Sequence, residues 1–344
     1  MSSYQRVSEK EPSSPVFVPL LDARVRALFG LSWNRARDLI RRGKVSVAGR
    51  VVTDPTAKVP TTSEIVLDLK ARDARAHAHD LPDGALVHVD PHLVVVDKPA
   101  GISTVPFDEG GMGASIAKRA SRREETTLDE RVRLALKQRT KGRGPPPEIG
   151  VVHRLDKETS GLLVFTRTWA AKKTLLQAFR FHHVHRVYLA LVHGVPRSQS
   201  ITSHFVEDRG DGLRGSVEKR HGRKHAVGSE KTQRAVTHVE LVEELDGAAL
   251  VACRLETGRT HQIRIHLSEA GHPVLGERVY IRGFNGAEIK AKRLMLHAAE
   301  LGFEHPVTGR SMRWESPLPA DMALVLQRLR SGTARRGNRE EGAT

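Results

Sequence analysis

Cysteine is nearly absent from this chain: Cys253 stands alone among 344 residues. One thiol closes no intramolecular disulfide and builds no cysteine-based zinc cluster. Cys253 falls in the apolar run Leu250 to Leu255, a pattern of core rather than of a reactive centre. Aromatic residues make up only 4%, too few for an open platform on which successive bases stack. No stretch approaches the roughly 18 apolar residues of a membrane-spanning helix, and no apolar signal region opens the sequence. A cytoplasmic protein with no membrane partner is therefore expected. No internal repeat and no phosphate-cradling Gly-rich loop is evident, so no cofactor is expected.

Positive charge is what the chain has in excess. Lys and Arg number 56 against 40 Asp and Glu, for a net charge of +16 and an isoelectric point of about 10.4. Such a surplus is the electrostatic footprint of a protein that sits on nucleic acid. The length suffices for two domains.

Composition divides the chain. Residues 1–15 and 331–344 are polar and read as disordered tails. In residues 16–77, Leu21, Val25, Leu28 and Phe29 recur at helical spacing. A second helix starts near Ser32 or Asn34 and buries Ala36, Leu39 and Ile40. Val45 and Val47 then alternate as a strand, Ala48-Gly49-Arg50 turns the chain, and a further strand begins at Val51. Arg37, Arg41 and Arg42 lie in the second helix or at its end, as candidates for phosphate contact. Residues 78–85 form a linker. In residues 86–330, strands are read at Leu86 to Val89, Leu93 to Val96, Arg186 to Val192, Val236 to Val242 and Leu250 to Leu255. Helices are read at Leu128 to Arg139, Ala170 to Phe181 and Thr260 to Glu269. Strands and helices in no regular alternation argue for an α+β fold with a mixed, mainly antiparallel sheet.

Three strings carry the chemistry. The first is Val152-His153-Arg154-Leu155-Asp156-Lys157-Glu158-Thr159-Ser160-Gly161-Leu162-Leu163. It places Asp156 on a loop braced by the buried strand that runs on to Phe165, which suits a catalytic carboxylate. The second is Leu255-Glu256-Thr257-Gly258-Arg259-Thr260-His261-Gln262-Ile263-Arg264-Ile265-His266-Leu267. Gly258 marks the turn from strand to helix, Thr260 can cap the helix, and Arg259 and Arg264 lie near its start, where anions bind. The third is Arg186-Val187-Tyr188-Leu189-Ala190-Leu191-Val192-His193-Gly194.

These strings resemble, in order, the motifs of the RluA-type RNA pseudouridine synthases. Asp97-Lys98-Pro99-Ala100-Gly101, Gly271-His272-Pro273-Val274 and Leu296-His297-Ala298 extend the match across residues 86–330. Residues 16–77 are similar to the ribosomal-S4-like RNA-binding domain. The resemblance implies that Asp156 attacks ribose carbon 1 or removes a proton from carbon 2, and both routes stay open. It implies that the target uridine is flipped into a pocket that excludes water. Tyr188 would pack on the base and Arg264 would pair with Asp156, though Arg259 is the competing choice. Arg154, Arg259, His261 and Leu296 would meet the substrate. Arg186 stands where the family commonly has Lys, and Glu277 where it commonly has Asp. The implied partner is RNA, 23S ribosomal RNA before transfer RNA, bound by a monomer.

Three other readings compete. A glycosidase using Asp156 and Glu158 suffers because residues two apart on an extended segment do not flank one bond. A metal hydrolase using His182, His183 and His185 lacks a third ligand at recognisable spacing. A non-catalytic RNA-binding or ribosome-assembly protein accounts for the basic charge but not for the three strings.

Overall fold

A computed structural model describes residues 18–71, 81–106, 126–140, 147–219 and 232–341. The expected tail at 1–15 lies outside the described residues. The chain divides into two compact units between Asp80 and Leu81, within the expected linker.

In the first unit, α1 (Leu21–Phe29) and α2 (Trp33–Arg41) pack over a three-stranded sheet of order β2-β1-β3. The strands are β1 (Val45–Val47), β2 (Arg50–Val51) and β3 (Ile65–Leu67). The helical spacing buries Leu21 and Val25 from α1 and Ala36, Leu39 and Ile40 from α2. Leu28 and Phe29 remain exposed. Ser32 caps α2, its side chain accepting from the Arg35 backbone N–H at 3.3 Å. Ala48 and Gly49 join β1 to β2 with positive φ at both positions. Two left-handed residues match the twist of a tight hairpin.

The second unit is built on an eleven-stranded sheet among the described residues. Its strands are β4 (Leu86–Val89), β5 (Leu93–Lys98), β6 (Gly150–Val151), β7 (Ser160–Thr166), β8 (His185–His193), β9 (Gln199–Val206), β10 (Gly215–Ser216), β11 (Gln233–Leu245), β12 (Ala248–Leu255), β13 (Leu296–Glu304) and β14 (Ser311–Glu315). The order is β10-β9-β11-β12-β8-β13-β7-β5-β4, with β14 on β13 and β6 on β7. Only the β13–β7 pairing is parallel. The sheet is thus mixed and mainly antiparallel, and the fold is α+β.

The centre of the sheet is covered on both faces. Every residue of β7 is buried, as is most of β5 and β8, which explains their near-continuous apolar runs. One core packs around Val96, Leu163, Leu191 and Val251. Another packs α4 (Trp169–Arg180) against Leu93, Val95, Leu162 and Val164. Gly161, the second residue of β7, has a φ of +108°, and a Cβ there would sit 2.2 Å from the Ala298 carbonyl oxygen. Glycine is required there for β7 to lie against β13.

The remaining helices are α3 (Leu128–Arg139), α5 (Gln262–Glu269) and α6 (Ala320–Glu341). The helix α6 continues through Glu341. One expectation is corrected. Thr260 was expected to cap α5. The cap position is instead His261, in the left-handed conformation with φ +59° and no side-chain cap bond.

Candidate active site

Asp156 stands on the loop between β6 and β7, and the loop is fixed from below. Leu155 is a buried plug, 3% exposed. The Thr104 hydroxyl donates to the Leu155 carbonyl at 2.8 Å and accepts from the Leu155 N–H at 3.2 Å. On the other side, the Lys157 carbonyl accepts from the Gly101 N–H at 2.8 Å and from Lys98 Nζ at 3.0 Å. Lys98 Nζ also donates to the carbonyls of Ile102 at 2.9 Å and Pro99 at 3.1 Å. The Thr159 N–H closes the turn onto the Asp156 carbonyl at 3.1 Å. The carboxylate is therefore held between strapped backbone segments.

Lys98 is fully buried. Burial pushes its pKa down to about 7, with the Asp156 and Glu158 carboxylates acting the other way. Its role in the geometry is to satisfy three carbonyls at once. Lys98→Met is expected to remove those bonds and loosen the Asp156 loop. A displacement of about 1 Å costs on the order of 10²-fold in rate. A single-turnover rate at saturating RNA checks this, and a rate within about threefold of the wild type would reject the strap.

Three side chains meet around Asp156. Arg264 Nη1 donates to Asp156 Oδ2 at 3.2 Å. The rest of the same guanidinium grips Glu277, from Nε to Oε2 at 2.7 Å and from Nη2 to Oε1 at 2.9 Å. Glu277 Oε1 also accepts the backbone N–H groups of Arg278 at 2.9 Å and Val279 at 2.8 Å. Burial opposes the charge on Glu277, but Arg264 and these backbone donors hold its carboxyl below the ordinary range. Burial likewise opposes the charge on Arg264, and the two carboxylates outweigh it and raise the guanidinium's pKa. The planar fork suits this double pairing. His261 Nε2 lies 3.8 Å from Asp156 Oδ1, while its Nδ1 is paired with the Tyr280 hydroxyl at 2.8 Å. Burial lowers the His261 pKa despite the neighbouring Asp156.

Arg259, the competing arginine, is engaged elsewhere. Its Nε donates to the Arg234 carbonyl at 3.1 Å and its N–H to Gln262 Oε1 at 3.0 Å. Arg264 is thus the guanidinium on Asp156.

Asp156, His261 and Arg264 line a cleft of about 610 Å³ that also takes in Arg154, Tyr188, Arg259 and Leu296. Arg154 is exposed. Tyr188 on β8 is 7% exposed and Leu296, at the start of β13, is 4% exposed. Burial raises the Tyr188 pKa; the Arg186 charge works against that shift and Asp156 adds to it. Five arginines and one carboxylate, Asp156, line the cleft. The wall is thus set for a polyanion, with one acid at its floor.

The structure does not place every expected contact residue in this cleft. Arg37, Arg41 and Arg42 belong to the other unit. Arg37 Nε is committed to buried Asp22 at 2.7 Å, and Arg42 pairs with Asp38 at 3.6 Å. Arg41 is exposed. His182 lines the cleft, but His185 pairs with Glu300 at 2.8 Å. Among the described residues no group of three or more His, Cys, Asp or Glu is arranged to hold a metal. Cys253 is buried in β12, and burial pushes its thiol up to about 12. No described helix is long and apolar enough to cross a membrane.

Sequence reasoning gave no site role to Glu277, Tyr280, Lys98 or Thr104. Lys98 lies in a quoted motif and Glu277 three residues beyond one, but both meet their partners only in the fold. Tyr280 and Thr104 carry no local signal.

Residues 92–269 match the RNA pseudouridylate synthase family and residues 20–65 the S4 domain. A ribosomal large subunit pseudouridine synthase D of Zymomonas mobilis is 36% identical over 307 residues, 87% of this chain and 90% of that protein. A protein of the same name from Vibrio parahaemolyticus is 32% identical over 342 residues, 93% of this chain and 94% of that protein. Human RNA Pseudouridylate Synthase Domain Containing 4 superposes with a TM-score of 0.54 at 23% identity, over 72% of this chain and 93% of that one. That structure supports the fold alone. With the family match covering residues 92–269 and the sequence relatives spanning nearly the whole length, this chain belongs to the RNA pseudouridylate synthase family, with an S4 domain before the catalytic unit.

Proposed function

We propose that this chain isomerises uridine to pseudouridine in the 23S RNA of the large ribosomal subunit, with Asp156 as the catalytic carboxylate. The single observation that carries the reading is the pairing of Asp156 with Arg264, itself locked on Glu277, at the floor of an arginine-lined cleft. A carboxylate oriented there by Arg264 can attack ribose carbon 1, or take the proton from carbon 2, as the base departs. Tyr188 and Leu296 line the space beside it and pack on the flipped base. Arg154, Arg259 and His261 contact the flanking RNA. The names of the relatives and the S4 match support large-subunit RNA over transfer RNA. The enzyme acts as a cytoplasmic monomer and needs no cofactor.

The purified chain, incubated with a 23S RNA transcript and separately with unmodified transfer RNA, tests this. Pseudouridine is expected in the 23S transcript and not in the transfer RNA, with or without excess chelator. Conversion confined to transfer RNA, or conversion that requires one specific divalent metal, would contradict the proposal.

The S4 unit supplies affinity rather than chemistry. Arg41 and Arg42 are the arginines to neutralise, because removing Arg37 would leave Asp22 buried and unpaired. Arg41→Gln with Arg42→Gln is expected to flatten the slope of log affinity against log salt by about 0.7–0.9 for each phosphate that is no longer neutralised. The saturated rate should be unchanged. An unaltered slope would remove these arginines from the RNA interface.

A further inference from the structure

Among the described residues, Arg186 is a buried cation without a counter-ion. It lies on β8 two residues before Tyr188, so both side chains leave the same face of the strand, and both line the cleft. It is only 7% exposed. Its Nη2 donates to the carbonyls of Leu255 and Glu256, both at 3.3 Å, while its buried Nε–H has no acceptor. Neutral carbonyls do not balance a buried guanidinium, and among the described residues no carboxylate pairs with it. The nearest acid in sequence to those carbonyls, Glu256, is drawn to His238 at 2.8 Å and Arg234 at 3.7 Å. A buried charge left in this state is costly unless an anion arrives.

The surroundings keep a way open to it. Gly258 lines the cleft, and a Cβ there would stand 3.0 Å from Arg186 Nη1. The backbone of Gly258 lies outside the left-handed region, so glycine serves clearance at this position rather than conformation. The Phe179 ring packs below, with Arg186 Cζ 5.4 Å from its centroid. His153 stacks on the same ring at 4.5 Å. Burial, and then the Arg186 charge, hold the His153 pKa down near 3, so His153 adds no charge of its own. Arg180 from α4 also lines the cleft.

We infer that Arg186, kept accessible by Gly258 and backed by Phe179, is a phosphate subsite for a nucleotide that flanks the target uridine. The subsite rests on the proposed RNA reaction, since its ligand is the RNA backbone beside the flipped base. A phosphate oxygen accepts from the guanidinium and supplies the charge that the protein leaves unmatched. Binding there would also fix the strand on one side of Tyr188 and so position the sugar over Asp156.

Synthetic stem-loop RNAs test this, each with one loop uridine and a single neutral methylphosphonate linkage moved stepwise along the loop. Affinity is read by filter binding, so the test holds whether or not the uridine is converted. One linkage beside the uridine is expected to weaken wild-type binding by about tenfold, and that penalty should vanish in Arg186→Gln. The variant's salt slope should fall by about 0.7, the value for one single-strand phosphate left without its cation. Gly258→Ala retains Arg186 but crowds Nη1, and should weaken binding at the same linkage without altering the melting temperature. A scan with no sensitive linkage would overturn the subsite. So would an Arg186→Gln variant with unchanged affinity and salt slope but a slower saturated rate, because that pattern assigns Arg186 to Tyr188 instead. Coupled binding without isomerisation in the wild type would count against the proposed function and leave the subsite standing.

Discussion

Asp156→Asn is expected to abolish isomerisation while RNA affinity stays within about twofold of wild type. The substitution preserves size and leaves an oxygen for Arg264 Nη1, which now lies 3.2 Å from Oδ2. It removes the negative charge, and with it the nucleophile or base proposed for the reaction. Loss of a residue at the reacting atoms costs on the order of 10⁴-fold or more. The loop itself should survive, because its fastening runs through Leu155 and Lys157 rather than through the carboxylate. Single-turnover rates and filter binding on the same preparation check both halves. A variant that retains a tenth of the rate would displace Asp156 from the chemistry.

Glu277→Gln is expected to have the largest combined effect on stability and rate. The Glu277 carboxylate is fully buried and holds two edges of the Arg264 guanidinium. Removing one charge from a buried pair costs about 3 kcal/mol. Arg264 then has only Asp156 as its acidic partner, and the altered fork should slow the saturated rate by about 10²-fold. The pH dependence has a definite sign. The folded pKa of Glu277 lies below its ordinary 4.5. The ion pair therefore stabilises fully above about pH 4.5, and its contribution is lost as pH falls through the folded value. Urea unfolding should show a wide gap between wild type and variant at pH 7 that narrows in acid. A gap that is constant with pH would mean that Glu277 acts through packing rather than charge.

Much of the fold is legible in local pattern. Leu162 to Phe165 is apolar without interruption because β7 is covered on both faces, and that is how a buried central strand reads. The turn at Asp90 is legible because its carboxylate caps the backbone N–H groups of His92 and Leu93 at 2.6 and 2.7 Å. What local pattern cannot carry is pairing across the chain. Arg264 reaches back 108 residues to Asp156, and nothing in either string separates it from Arg259. Arg37 looks like one more surface cation until α1 brings buried Asp22 against it. Strand β9 alternates weakly, and its pairing with β11 rather than its composition makes it a strand. His261 takes a left-handed conformation beside its bond to Tyr280, a geometry no capping rule anticipates. The candidate site was therefore readable in its motifs, whereas the hydrogen bonds that orient Asp156 became visible only in the fold.

Asp156 is proposed to place pseudouridine in large-subunit ribosomal RNA. A single-nucleotide map of pseudouridine in total RNA, from cells lacking the protein and complemented with either wild type or Asp156→Asn, tests it most directly. One or a few 23S positions are expected to lose pseudouridine in the deletion, regain it with wild type and stay uridine with the Asn variant. Restoration of those positions by Asp156→Asn, or a deletion map that differs only in transfer RNA, would contradict it.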